Sequence, residues 1–148
     1  MMSVKIDKSG LGAKPGVGKP ATSGKTQSGV FMANMKEARL EIFDGDMKEL
    51  VEIVKARGDK FIRSPEEGLL NSYKDSVKMF LKKLKDEFLS LKEEFGDKKD
   101  GEQKVYQLVN KAEAEVESLT RETLTESKAV GLLASLDDIR GLVLDIMG

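Results

Sequence analysis

The sequence predicts an all-α fold, an up-and-down antiparallel bundle of about four main helices behind a disordered N-terminal tail. Three observations predict it. Apolar residues recur every three or four positions over most of residues 30–147. No stretch shows the period-two alternation of a half-buried strand. Residues 1–29 hold six of the 14 glycines and two of the three prolines, a composition unlike the rest of the chain.

That opening segment carries Lys5, Lys8, Lys14, Lys19 and Lys25 against Asp7, a net +4 that leaves −5 for residues 30–148. Its few apolar side chains cannot offset an ordering entropy of about 1–2 kcal/mol per residue. Residues 1–29 are therefore expected to be a disordered, basic, Gly/Lys/Ser-rich tail, and residues 30–148 the bundle domain.

From Val30 the texture changes. Phe31, Met35, Ala38 and Ile42 recur at helical spacing and predict a short amphipathic helix, which Asp44-Gly45-Asp46 is expected to end in a turn. Leu50, Ile53, Val54, Phe61 and Ile62 extend a second helical period from about Met47 to Ile62, weakened by Gly58. Ser64-Pro65-Glu66-Glu67 reads as an N-cap serine, a proline at the first helical position and a glutamate at the third. Behind it Leu70, Tyr73, Val77, Phe80, Leu84, Phe88, Leu91 and Phe95 form one apolar seam.

Gly96 to Gly101 stops that helix, and so short a loop favours an antiparallel neighbour. Val105, Leu108, Val109, Ala112, Val116, Leu119 and Thr123 form the next seam. No glycine or proline marks a break near Thr125, so the sequence leaves that boundary open. The last helix is expected from about Lys128 to Met147. With Leu132 at the centre of its wheel, Leu133 and Leu144 lie about 100–120° round, and the apolar arc spans roughly 200° instead of about 100°. An arc that wide has two readings. Either the helix is surrounded by its own chain, or an edge centred on Leu133 and Leu144 is an interface, such as that of a homodimer.

Several chemistries are excluded. The 148 residues include no Cys and no His, which removes disulfides, thiolate or imidazole metal sites and the usual neutral-pH proton shuttle. No run approaches the ~20 apolar residues of a membrane span, and no signal-peptide core opens the chain, so the expected location is the cytoplasm, without membrane contact. Carboxylates are scattered over polar helix faces, and no pair is singled out for acid–base work. The sequence thus nominates no catalytic, cofactor-binding or metal-ligating residue.

Three motifs invite a functional reading. Gly16 to Thr26 ends in Gly-Lys-Thr, but a phosphate-binding loop needs glycine where Lys19 stands, and in the other frame Ala13 and Pro20 break the pattern. Asp97 to Glu102 lacks the ligand spacing of a calcium loop. Lys74, Lys78, Lys82 and Lys85 form a basic stripe on the long helix. Glu113, Glu115 and Glu117 on the next helix favour a solvated rim of ion pairs, and no aromatic lies among the lysines to stack on a base.

Gly58-Asp59-Lys60-Phe61-Ile62-Arg63-Ser64, then Tyr73-Lys74 and Val77-Lys78-Met79-Phe80-Leu81, are similar to the YaaR-like bacterial proteins of unknown function. Leu119-Thr120, Leu132-Leu133 and Ile139-Arg140-Gly141-Leu142-Val143-Leu144 continue the resemblance, which covers about residues 45–147. It implies an all-helical up-and-down bundle and carries no substrate, cofactor or catalytic residue. The reading favoured by the residues is a non-catalytic interaction module that binds another protein or itself. The alternative is an accessory nucleic-acid binder using the tail and the Lys74–Lys85 stripe.

Overall fold

The computed structural model describes the backbone of residues 21–96 and 100–148 and the side chains of residue 29 onward, except 97–99. Among the described residues there are four α-helices and no strand: α1 (Ala21–Arg63), α2 (Glu67–Phe95), α3 (Glu102–Glu117) and α4 (Glu126–Met147). The all-α prediction holds. Residues 1–20, where most of the expected tail lies, fall outside the described residues, while the backbone of Ala21 to Gly29 belongs to α1. The near phosphate-binding motif divides likewise: Gly16 to Pro20 lies outside, and Ala21 to Thr26 is helical.

The chain divides into two units, residues 1–36 and 37–148. In the first, Val30, Phe31 and Met32 are exposed on α1. The second is the bundle.

The expected turn at Asp44-Gly45-Asp46 is absent, and α1 runs through it. Phe43, Met47, Val54 and Phe61 are all buried, so the core-facing period crosses Gly45 without a phase change. Burying Phe43 and Met47 contributes about 1.5–3 kcal/mol each, whereas a mid-helix glycine costs about 1. Burial wins. The apolar period predicted through Ile42 is also displaced. Ile42 is 59% exposed, and the true stripe passes through half-buried Leu40 and buried Phe43 instead.

The predicted cap at Ser64 is overturned as well. Ser64 N–H donates to Lys60 O and Phe61 O, so its backbone still closes the end of α1. Its hydroxyl donates to Glu66 Oε2 at 2.5 Å, and α2 begins at Glu67 with Glu66 as an N-cap whose side chain accepts from no N–H of the helix. One residue cannot terminate α1 and cap α2 together. Pro65, which disfavours helical geometry in the residue before it, sits in the link between them.

The α2 seam is as predicted from Leu70 to Leu91, with Leu70, Tyr73, Val77, Phe80, Leu84, Phe88 and Leu91 buried, while Phe95 at its end is only half-buried. α3 is preceded by its N-cap Gly101, whose φ of 90° favours glycine and whose missing Cβ would lie 3.2 Å from Ile146 Cδ1. It ends at Glu117, earlier than its seam suggests. There the hydroxyl of Ser118 takes Glu115 O at 2.9 Å. Thr120 and Thr123 exchange backbone N–H and side-chain oxygen, at 2.8 and 3.2 Å. Side-chain hydroxyls that compete for backbone groups break the helix without glycine or proline. Thr125 then caps α4 by accepting from Lys128 N–H at 3.1 Å, which settles the boundary that the sequence leaves open.

Ion pairs reveal the topology. From α1 to α2, Arg39 meets Glu94, Asp46 meets Lys83 at 4.0 Å, and Arg57 donates to Ser72 O at 2.9 Å. From α2 to α3, Lys92 meets Glu102, Lys85 meets Glu113 and Lys78 meets Glu117. In both ladders numbers rise on one helix as they fall on the other, so each pair is antiparallel. α4 packs on both α2 and α3. Its Leu132, Leu136, Ile139, Val143 and Met147 are buried in the common core.

Candidate functional site

The four lysines of the basic stripe all have partners in the chain. Lys74 Nζ donates to Leu119 O at 2.9 Å and to Glu117 O at 3.3 Å, taking up carbonyls at the end of α3. Lys78 pairs with Glu117 at 2.5 Å, Lys85 with Glu113 at 3.4 Å, and Lys82 with Asp86 at 3.0 Å one turn along α2. The Lys78–Glu117 bond raises the lysine pKa and lowers that of the glutamate. Further along the ladder Lys92 lies over the rings of Phe88 and Tyr106, at 5.2 and 5.1 Å. Burial opposes its charge, but the carboxylate of Glu102 and the phenol of Tyr106 outweigh it and hold its pKa above the ordinary value. This face of α2 knits α2 to α3.

Leu133 and Leu144 lie on one side of α4, about 16 Å apart at 1.5 Å per residue. Both are half-buried against the core. Between them Arg140, 14% exposed, pairs with Asp44 of α1 and with Asp137 at 2.9 Å. That side of α4 therefore faces α1, and the two leucines do not form one continuous exposed patch. Gly141 offers no tight spot either, for a Cβ there would meet nothing within 4 Å.

Leu133 does border a cleft between α1 and α4. Val54, Lys55, Gly58 and Asp59 line it from α1, Ala129, Val130 and Leu133 from α4, and Tyr73 of α2 forms part of its wall. Its volume is about 70 Å³. Gly58 is buried, and a Cβ there would lie 3.1 Å from Tyr73 Cε1, so glycine lets the ring come flush against α1. Tyr73 is 1% exposed, and among the described residues its hydroxyl has no hydrogen-bond partner. Burial pushes its phenol up to about 12. Lys55 and Asp59, paired at 3.5 Å, stand on the α1 rim. Val130, 63% exposed, stands on the α4 rim.

Sequence reasoning placed Tyr73 in the core and Gly58 as a weak point in a helix, and so missed the cleft they build. The signal was a glycine inside an apolar period, but Gly45 and Gly141 share that pattern with nothing within 4 Å, and only the fold shows that Gly58 has a close neighbour. A second depression, between α3 and α4, is lined with the hydroxyls of Thr123, Thr125, Ser127 and Ser135 beside the Glu115–Lys128 pair at 3.2 Å. Among the described residues no cluster of three or more acidic groups is arranged to hold a metal ion. Nor is any helix among them long and apolar enough to cross a membrane.

No curated protein and no solved structure matches the chain. A family model does, over residues 12–147, a match that reaches further toward the N-terminus than the motifs around Gly58 and Tyr73. The chain therefore belongs to the family described as protein of unknown function (DUF327), the YaaR-like family its sequence resembles.

Proposed function

We propose that this protein is a non-catalytic helical module that binds a protein partner at the cleft between α1 and α4. The observation that carries the reading is the juxtaposition of an apolar hollow with a large exposed apolar side chain, Val130, on its rim. A hollow ringed by apolar residues and flanked by charges is the form of a small protein-recognition site. The engagement of Lys74, Lys78, Lys82 and Lys85 within the chain supports a protein partner over nucleic acid. The absence of cysteine fits action in the reducing cytoplasm.

A photo-crosslinking phenylalanine analogue placed at Val130 in the full-length chain tests this inside the cell. A discrete protein adduct should form from that position and not from Lys104, exposed on α3. Absence of any adduct specific to Val130 overturns the reading.

A further inference from the structure

The cleft has a feature that selects its occupant: it is complementary to itself. Val130 is more exposed than any other large apolar residue described from Glu37 onward, at 63% against 59% for Ile42. It lines the hollow's edge without filling it. A hollow of about 70 Å³ has room for about two waters or one small branched side chain. A knob beside a hole of its own size is what an isologous interface requires, because a twofold axis carries the knob of each copy into the hole of the other.

Charge points the same way. The rim carries one cation and one anion, Lys55 and Asp59, with side chains 56% and 58% exposed and one helical turn apart. A twofold axis that crosses α1 at right angles between them reverses their order on the facing copy, so Lys55 would meet the opposing aspartate and Asp59 the opposing lysine. Neither like-charge contact arises.

We infer that the occupant is a second copy of this chain, with Val130 of each copy seated in the other's α1–α4 cleft and Lys55 and Asp59 paired across the axis. This rests on the docking reading of the cleft and names its partner. The tyrosine ring forms part of the wall against which the valine packs, and buried Val54 and half-buried Leu133 supply the rest. The half-burial of Leu133 thus has a use at the site, whereas Leu144, about 16 Å away along α4, has none there.

Sedimentation of the full-length protein over a wide concentration range tests the proposal, with circular dichroism to verify folding. Lys55, Asp59 and Val130 are all exposed, so their substitution leaves the bundle intact. Wild type should dimerise, and Val130→Glu, which puts an unpaired charge into an apolar hollow, should raise the dissociation constant at least ~100-fold. Lys55→Glu alone and Asp59→Lys alone should each weaken the dimer ~10-fold, and the two together should restore it to within a few-fold, because the swap rebuilds both facing pairs. A monomeric wild type, a dimer indifferent to Val130→Glu, or a double variant no tighter than the single ones overturns the second copy as occupant. A monomeric chain that still forms a Val130-specific adduct with a different protein overturns the second copy alone. A monomeric chain with no such adduct removes the docking reading with it.

Discussion

At the scale of single residues, two hydroxyl residues at helix boundaries show what a sequence can and cannot announce. Ser64 stands in a motif that reads as a capping box, yet its N–H closes α1 and its side chain turns to Glu66. Thr125 stands in no such motif and caps α4. The distinction depends on where the previous helix stops, which is set by the burial of Phe61 and by Pro65 and not by the four residues of the motif. Opposite outcomes are expected in urea denaturation. Thr125→Ala should destabilise by about 1 kcal/mol, since a helix N–H loses its acceptor. Ser64→Ala removes only an exposed bond to Glu66 and should change stability by less than about 0.5 kcal/mol. Equal losses at the two positions would contradict this assignment of the caps.

At the scale of the elements, α2 and α4 were legible because their apolar periods are long and unbroken, and Leu132, Leu136, Ile139 and Val143, spaced at that period in α4, are all buried. α1 was misread as two helices because Gly45, flanked by aspartates, looks like a turn. The aspartates have other work: Asp44 pairs with Arg140 and Asp46 with Lys83. The end of α3 was illegible because threonine and serine side chains terminate it through bonds to their own backbone. Two glycines of α1 now separate by their surroundings. A Cβ at Gly45 meets nothing within 4 Å, so Gly45→Ala should stabilise the helix by about 0.5–1 kcal/mol. A Cβ at Gly58 would press on Tyr73 Cε1 at 3.1 Å, and Gly58→Ala should lose most or all of that gain. Thermal melting of both variants checks the pair, and a gain at Gly58 as large as at Gly45 would refute the tight contact.

At the scale of the whole molecule, the fold class was readable from periodicity, and the pairing of lysines with the next helix's glutamates was readable from charge. The cleft was not, because it arises where three helices meet and no local pattern encodes that meeting. Its tyrosine has a consequence for alkaline conditions. A phenol held at about 12 keeps its proton in the folded chain when the unfolded chain, at the ordinary value of 10, has already given it up. Between those values the unfolded state binds fewer protons, so stability falls as pH rises, by up to about 3 kcal/mol across the window. Tyr73→Phe should remove this part of the decline, seen by comparing denaturation midpoints of the two proteins as pH rises through the window. The chain has no tryptophan and only two tyrosines, Tyr73 and Tyr106. Its tyrosine absorbance band is therefore a record of two side chains, and the late rise in tyrosinate absorbance is an intrinsic clock for the opening of the core: Tyr73 turns to tyrosinate when the bundle comes apart.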